Sequence, residues 1–111
     1  MAKTRSSQLQ STLDLLILKT VAARGPLHGY AIVNHIQQLS DEELRIEEGS
    51  LYPALHRMEG EGWIAADWQI SATNRRVKLY TITATGRKQL SAETDHWTRL
   101  TAAINLVLAK A

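Results

Sequence analysis

The chain has no cysteine, no long apolar run and almost no net charge. Without cysteine it has neither a disulfide framework nor a thiolate metal site. Its longest apolar runs, such as Leu15 to Leu18, are far too short to span a bilayer. Residues 1–10 contain no apolar segment of the kind found in secretory signals. We therefore expect a soluble, cytoplasmic protein with no membrane partner.

The sequence also lacks the residue sets that catalysis and metal binding require. The four histidines show neither a spacing of four residues nor a carboxylate at a ligand-like offset: His28, His35, His56 and His96. No nucleophile with a base, phosphate-binding loop or pair of carboxylates can be assembled. We predict that the protein is not an enzyme and holds no metal or other cofactor. Gly29 is expected to allow close helix packing, and Tyr30 to fill the junction between the first two helices.

Charge is distributed unevenly along a chain that is otherwise ordinary. Its 111 residues are 44% apolar, which is typical of one compact globular domain. The net charge of +2 is too small to indicate a partner by itself. However, residues 41–61 carry seven acidic side chains against two arginines, whereas residues 71–88 carry five basic side chains and no acidic one. The second segment is therefore a local positive patch.

Four helices and one hairpin are predicted, which is an α+β, mainly α fold. Residues 1–10 are expected to form a mobile arm. Ser11 or Thr12 is predicted to cap the first helix, with Asp14 in its first turn, where the helix dipole favours an anion. Gly25-Pro26 then ends this helix, because the pair cannot continue it.

The remaining elements follow from the apolar spacing, the turn residues and the caps. The second helix is predicted from His28 to Leu39, with Ile32, Ile36 and Leu39 facing inward, and a short strand Leu44–Ile46 follows it. The third helix is predicted from Gly49 or Ser50 to Gly60. Strands Trp63–Ile70 and Arg75–Ile82 are joined by the turn 71–74, and a last helix, capped by Thr83, runs to about Lys110.

The third predicted helix has two distinct faces. One is an apolar core stripe of Leu51, Leu55 and Met58. The other is small or cationic and comprises Ser50, Pro53, Ala54 and Arg57, with Tyr52 and His56 flanking it as phosphate donors. Small residues allow close approach to a groove, and Arg57 could reach a phosphate or a guanine edge. Before an arginine-rich hairpin, this arrangement is typical of a winged helix-turn-helix and predicts DNA binding. The alternative is an ordinary polar face that meets only solvent, with Tyr52 half-buried.

Basic side chains alternate along the second predicted strand. Arg75 points to one side, whereas Arg76 and Lys78 point to the other. We predict that they contact DNA phosphates or enter the minor groove. The alternative is a solvated hairpin edge whose charges prevent aggregation. Asn74 is expected to form the turn, and Trp68 to pack within the hairpin.

The last predicted helix carries a seven-residue apolar repeat. Leu90, Trp97 and Ile104 recur at this interval, and Thr94, Thr101 and Leu108 are each offset by four. A helix of about 27 residues is roughly 40 Å long, more than a small domain can cover. Part of the stripe is therefore expected to pack against a second copy. Trp97 is either dimer core or one wall of a ligand pore, for which the small, polar threonines would leave room.

Taken together, these residues resemble the PadR-type transcriptional regulators, specifically the short subgroup with a single C-terminal helix. The resemblance covers roughly residues 9–99. It is carried by His28-Gly29-Tyr30, Gly49-Ser50-Leu51-Tyr52-Pro53-Ala54-Leu55, Glu61-Gly62-Trp63-Ile64, Trp68, Arg75 to Thr83 and Gly86. Leu79 and Trp63 depart from the usual residues, away from the expected DNA face. The resemblance implies a homodimeric repressor, often relieved by small aromatic or drug-like molecules, and in some members these lie between paired tryptophans of the last helix.

Two functions therefore remain open at the level of sequence. The first is a repressor that reads a palindromic operator in double-stranded DNA, with residues 1–83 as the DNA-binding domain and residues 84–111 as the dimerisation helix. The second is a winged-helix module that binds proteins without reading bases. The acidic residues of segment 41–61, beside the third helix, favour the second.

Overall fold

A computed structural model describes residues 5–111, with side chains from residue 10 onward. The order of elements is α1 (Arg5–Arg24), α2 (Gly29–Leu39), α3 (Glu48–Gly60), β1 (Ile64–Ile70), β2 (Arg76–Ile82) and α4 (Ala84–Lys110). This confirms the predicted α+β, mainly α winged helix-turn-helix with a long C-terminal helix. Within residues 5–111, no helix combines the length and the apolar composition that a membrane span requires.

Helix α1 begins earlier than the sequence indicates. It already includes Arg5, so neither Ser11 nor Thr12 caps it, and Asp14 lies in its middle. The predicted mobile arm is therefore wrong for residues 5–10, and residues 1–4 lie outside the described part. No glycine or proline interrupts residues 5–24, and this continuity allows the helix to extend through the polar segment.

The core lies where α1, α2 and α3 meet the base of the hairpin. Its buried side chains are Ile17, Leu18, Val21, Ile32, Ile36, Leu51, Ala54, Leu55, Met58, Ile64 and Tyr80. Two predictions about α2 are wrong. Leu39 is 63% exposed because it lies in the last turn, and Tyr30 is 60% exposed and does not fill the α1–α2 junction. The close approach at Gly29 is confirmed, since a Cβ there would lie 3.1 Å from the Tyr52 ring.

Strands β1 and β2 form an antiparallel hairpin, the wing, with Ile64 opposite Ile82 and Ile70 opposite Arg76. Asn74 turns the chain at its tip with φ 61°, a left-handed conformation that asparagine tolerates. The predicted strand at Leu44–Ile46 does not form. Instead, Leu27 extends the sheet, because its N–H and C=O both bond to the backbone of Tyr80, at 3.1 and 2.8 Å.

Helix α4 is fixed to the base of the wing. Thr83 caps it as predicted, because its hydroxyl accepts from the Gly86 N–H at 2.9 Å. The carbonyl of Trp63 accepts from the Thr83 N–H at 3.0 Å. A Cβ at Gly86 would lie only 1.9 Å from that carbonyl oxygen, so this contact requires glycine. The first turns of α4 pack on α1 and the rest extends outward, which gives the molecule dimensions of 57 × 29 × 23 Å. The proposed division at residue 83 stays a prediction.

Candidate nucleic-acid interface

The exposed face of α3 is displaced from the face that the sequence indicated. The residues Gly49, Tyr52, Pro53 and His56 are exposed and recur at spacings of three, one and three, which is one stripe of a helix. Ser50 is also exposed, at the edge towards α1. No atom lies within 4 Å of a Cβ built at Gly49, so this end of the face is open. The stripe is therefore free to approach a groove.

Two residues predicted for this face are directed elsewhere. Ala54 is only 4% exposed and belongs to the core, because it is three residues after Leu51 and four before Met58. Arg57 donates to both carboxylate oxygens of Asp14 in α1, at 2.9 and 2.6 Å. This hydrogen bonding raises the pKa of Arg57 above its ordinary value. In this conformation the Arg57 guanidinium is held by a protein carboxylate.

The three basic residues of the wing lie in different environments. The guanidinium of Arg76 lies 4.6 Å from the centroid of the Trp68 ring, a cation–π distance. Lys78 donates to Glu59 of α3 at 2.9 Å, and this hydrogen bond raises the pKa of its ammonium group. Arg75 is exposed beside the turn and has no salt bridge to the acids in the described part of the chain. Arg75 and Arg76 are therefore the wing cations available to an external anion.

A cleft of about 530 Å³ separates α3 from the wing and brings several of these side chains together. Its lining comprises His28, Gly29, Tyr30, Tyr52, His56, Trp68, Arg76, Val77, Lys78 and Tyr80. Four of the predicted DNA-binding residues are in this set, namely Tyr52, His56, Arg76 and Lys78. Sequence reasoning missed the exposed rings of Tyr30 and Trp68, because aromatic residues in a helix and a strand were assigned to packing. Their proximity to the basic strand was the available signal for Trp68.

The predicted seam of α4 changes character along its length. Leu90 packs on the core, and Thr94 beside it lines a groove against α1. Thr101 is half-buried, whereas Trp97, Ile104 and Leu108 expose 45%, 48% and 75% of their surfaces. The apolar stripe therefore continues beyond the part of the molecule that covers it.

The fold and this arrangement of exposed helix and basic hairpin define a winged helix-turn-helix protein of the DNA-binding class. The Transcriptional regulator PadR-like family matches residues 17–92, and the chain belongs to this family. It is thus a DNA-binding transcriptional regulator and not an enzyme.

Similar proteins agree with this assignment. Over 72 residues, which are 65% of this chain and 64% of the relative, the protein is 32% identical to a transcriptional regulator of Mycobacterium tuberculosis. It is 28% identical to the negative transcriptional regulator PadR of Bacillus subtilis over 60% of this chain and 37% of that one. The chain thus matches less than two thirds of the length of each of these two relatives.

Solved structures extend the likeness to nearly the whole chain. A transcriptional regulator from Clostridium thermocellum superposes with a TM-score of 0.79 at 29% identity, covering 89% of this chain and 95% of that one. A PadR-like regulator from Bacillus cereus gives 0.77 at 26% identity, covering 95% and 99%. These coverages include most of the long C-terminal helix.

Proposed function

We propose that the protein is a homodimeric repressor. It reads a palindromic operator with α3 and contacts the neighbouring sugar–phosphate backbone of the DNA with its wing. The observation that carries this proposal is the cleft between α3 and the wing. Tyr52 and His56 of the exposed α3 stripe line one side of it, and Arg76 of the wing lines the other. Phosphate contacts by Arg75 and Arg76 would set the register, while Tyr52, Pro53 and His56 face the bases. Such a repressor acts on chromosomal DNA in the cytoplasm.

The exposed stripe of α4 supports the dimer. Large apolar side chains such as Trp97, Ile104 and Leu108 remain in water in a single chain. Their burial against a second copy is favourable by about 1.5–3 kcal/mol for each fully buried side chain. A groove of about 470 Å³ between α1 and α4, lined by Leu15, Leu90 and their neighbours, continues the apolar surface towards the core. Truncation after Ser91 should therefore give a monomer with little operator affinity.

A small aromatic effector at the α4 seam would relieve repression. The half-exposed indole of Trp97 supplies a flat apolar surface, and Thr94 and Thr101 keep the positions beside it small. An effector that binds one arrangement of the paired helices better than another would shift the dimer towards that arrangement. The operator would then be released if the favoured arrangement misplaces the two α3 helices.

Selection from a random pool of DNA duplexes tests the central claim. The full chain should enrich an inverted repeat whose half-sites are about one helical turn, ~34 Å, apart. Binding of that duplex should weaken steeply with salt, because phosphate contacts release counterions. Arg76→Ala should weaken binding, while the matched control Lys110→Ala, which removes an exposed cation at the far end of α4, should not. Enrichment of single half-sites would contradict the palindrome.

A protein-binding winged helix is the second candidate function. The observation in its favour is the exposed acidic pair Glu47 and Glu48 at the start of α3, where carboxylates would repel a phosphate backbone. In that case the selected pool would show no motif, and binding to random duplexes would be weak with a flat salt dependence. Either result in the same experiment decides between the two candidates.

A further inference from the structure

The best-defined polar contact of α3 is directed inward, towards α1. Asp14 is 4% exposed, and each of its carboxylate oxygens accepts one guanidinium N–H of Arg57, at 2.6 and 2.9 Å. This bidentate geometry is the strongest arrangement of the two groups, since the planar fork of the guanidinium matches the carboxylate. Among the side chains that the structure describes, Arg57 is the only cation paired with Asp14, and the low exposure of Asp14 leaves little room for water to replace it.

Departure of Arg57 from this pair is unfavourable. An arginine that swung out to a base would leave an ionised carboxylate buried without compensation, which is among the most destabilising changes in a protein interior. Among the described residues, Arg45 lines the same surface as Arg57, but it is exposed and bonds weakly to the backbone carbonyl of Glu42 at 3.5 Å. If Arg57 moved out to the DNA, the free energy of binding would therefore have to offset the full loss of the Asp14–Arg57 pair.

The pair restricts the rotation of α3 about its own axis, which apolar packing alone restricts only weakly. Leu51, Leu55 and Met58 hold α3 on the core, but apolar contacts are non-directional and tolerate small rolls of a helix about its axis. Two directed hydrogen bonds to a fixed carboxylate do not tolerate such rolls, because their distances and angles would change. In the described part of the chain, Asp14–Arg57 is the only ion pair between α3 and α1, and Glu59–Lys78 plays the same part between α3 and the wing.

We propose that Arg57 is a positioning residue rather than a base reader: through Asp14 it sets the roll of α3 and thereby the direction of Tyr52, Pro53 and His56. The inference rests on the proposed function, because it concerns how the α3 stripe is presented to an operator. It also separates Arg57 from Arg75 and Arg76, whose charges remain available to phosphates.

Asp14→Asn distinguishes the two roles by the sign of its effect. The amide keeps the size of the side chain but removes the charge that holds the guanidinium. If Arg57 contacts DNA in the wild-type complex, its release from Asp14 should leave affinity for the selected duplex unchanged or tighter, because binding no longer has to break the pair, and the salt slope should be unchanged because the contact already exists in the wild type. If Arg57 is a positioning residue, affinity should fall at least tenfold with the salt slope unchanged. Asp95→Asn, an exposed acid of α4, is the control for removal of one negative charge.

A double substitution gives an independent test. Asp14→Arg with Arg57→Asp reverses the pair, so that two directed hydrogen bonds between α1 and α3 can form while α3 no longer carries the arginine. The double variant should bind the selected duplex at least tenfold more tightly than either single variant. A folded double variant that binds no better than Arg57→Asp would overturn the inference. If the double variant fails to fold by circular dichroism, the sign of the Asp14→Asn effect decides.

The outcomes for this inference and for the proposed function are distinct. A wild-type chain that selects no duplex motif contradicts the proposed function, irrespective of Arg57. A wild-type chain that selects a motif, combined with an Asp14→Asn variant that binds as well or better, refutes the positioning role alone. Base preference gives a further check, because loss of a reader relaxes specificity at one or two base pairs, whereas a rolled helix weakens binding at all positions of the half-site.

Discussion

A charge placed on either side of α4 provides a matched test of the proposed dimer seam. Ile104 is 48% exposed and lies on the seven-residue repeat with Trp97, whereas Leu106 is 55% exposed and lies two residues further on. Residues two apart on a helix point in clearly different directions. Ile104→Glu should therefore disrupt the dimer, and Leu106→Glu, with almost the same change in size and charge, should leave it intact.

The magnitude follows from the exposure of Ile104. Full burial of such a side chain is worth about 1.5–3 kcal/mol, so burial of its exposed half contributes about 1 kcal/mol. Each glutamate also places a polar group in an apolar seam, which costs roughly 1–3 kcal/mol. Since the dimer contains two copies, Ile104→Glu should cost at least about 4 kcal/mol, or roughly 1000-fold in the dimer dissociation constant.

Sedimentation equilibrium over a range of protein concentrations measures this constant directly, and circular dichroism checks that each variant remains folded. Equal dissociation of the Ile104→Glu and Leu106→Glu variants would mean that the repeat does not define the seam. Dimers of unchanged stability in both would mean that this half of α4 is outside the interface.

Three further outcomes are expected. Replacing Arg75 and Arg76 by alanine should weaken binding to selected and random duplexes alike and reduce the salt slope by up to about two units; a collapse of discrimination instead would show that the wing reads bases. Trp97→Ala should lower dimer stability by about 3–5 kcal/mol if the indole is plain core. If the Trp97 indole instead lines an open pore, dimer stability should fall much less, and quenching of tryptophan fluorescence by flat aromatic dyes should disappear. Gly86→Ala should destabilise the fold by about 1–3 kcal/mol, because its Cβ would lie 1.9 Å from the Trp63 carbonyl oxygen; Gly60→Ala, where nothing lies within 4 Å, is the control in thermal unfolding.

Local signals in the sequence were sufficient for most of the elements. Gly25-Pro26 ends α1, Thr83 caps α4, and the turn at residues 71–74 separates the two strands, because each of these features acts over a few residues. The start of α1 was missed for the complementary reason. A potential cap such as Ser11 is only a local preference, and a helix that can extend into a permissive segment overrides it.

The candidate site was predicted less completely, because its geometry depends on distant residues. Nothing near Arg57 in the sequence shows that its partner is Asp14, 43 residues earlier. Ala54 lies at the border of two helical faces, so a small shift of the buried stripe moves it into the core. Trp68 is as compatible with a packed strand as with an exposed one, and only the surrounding fold shows that its ring lies open beside Arg76.

The close packing at Gly86 couples the orientation of α4 to that of the wing. Because Thr83 and Gly86 are in close contact with the backbone of Trp63, α4 and the base of the wing should rotate together as one rigid unit. The 27 residues of α4 form an arm of about 40 Å. In the proposed dimer, a change of about 5° in the angle at which two such arms cross, with the pivot at their far ends, would displace the two near ends relative to each other by about 3.5 Å, close to the ~3.4 Å rise of one base pair. A small change in packing at the outer end of α4 would therefore shift the two α3 helices by about one base pair relative to each other.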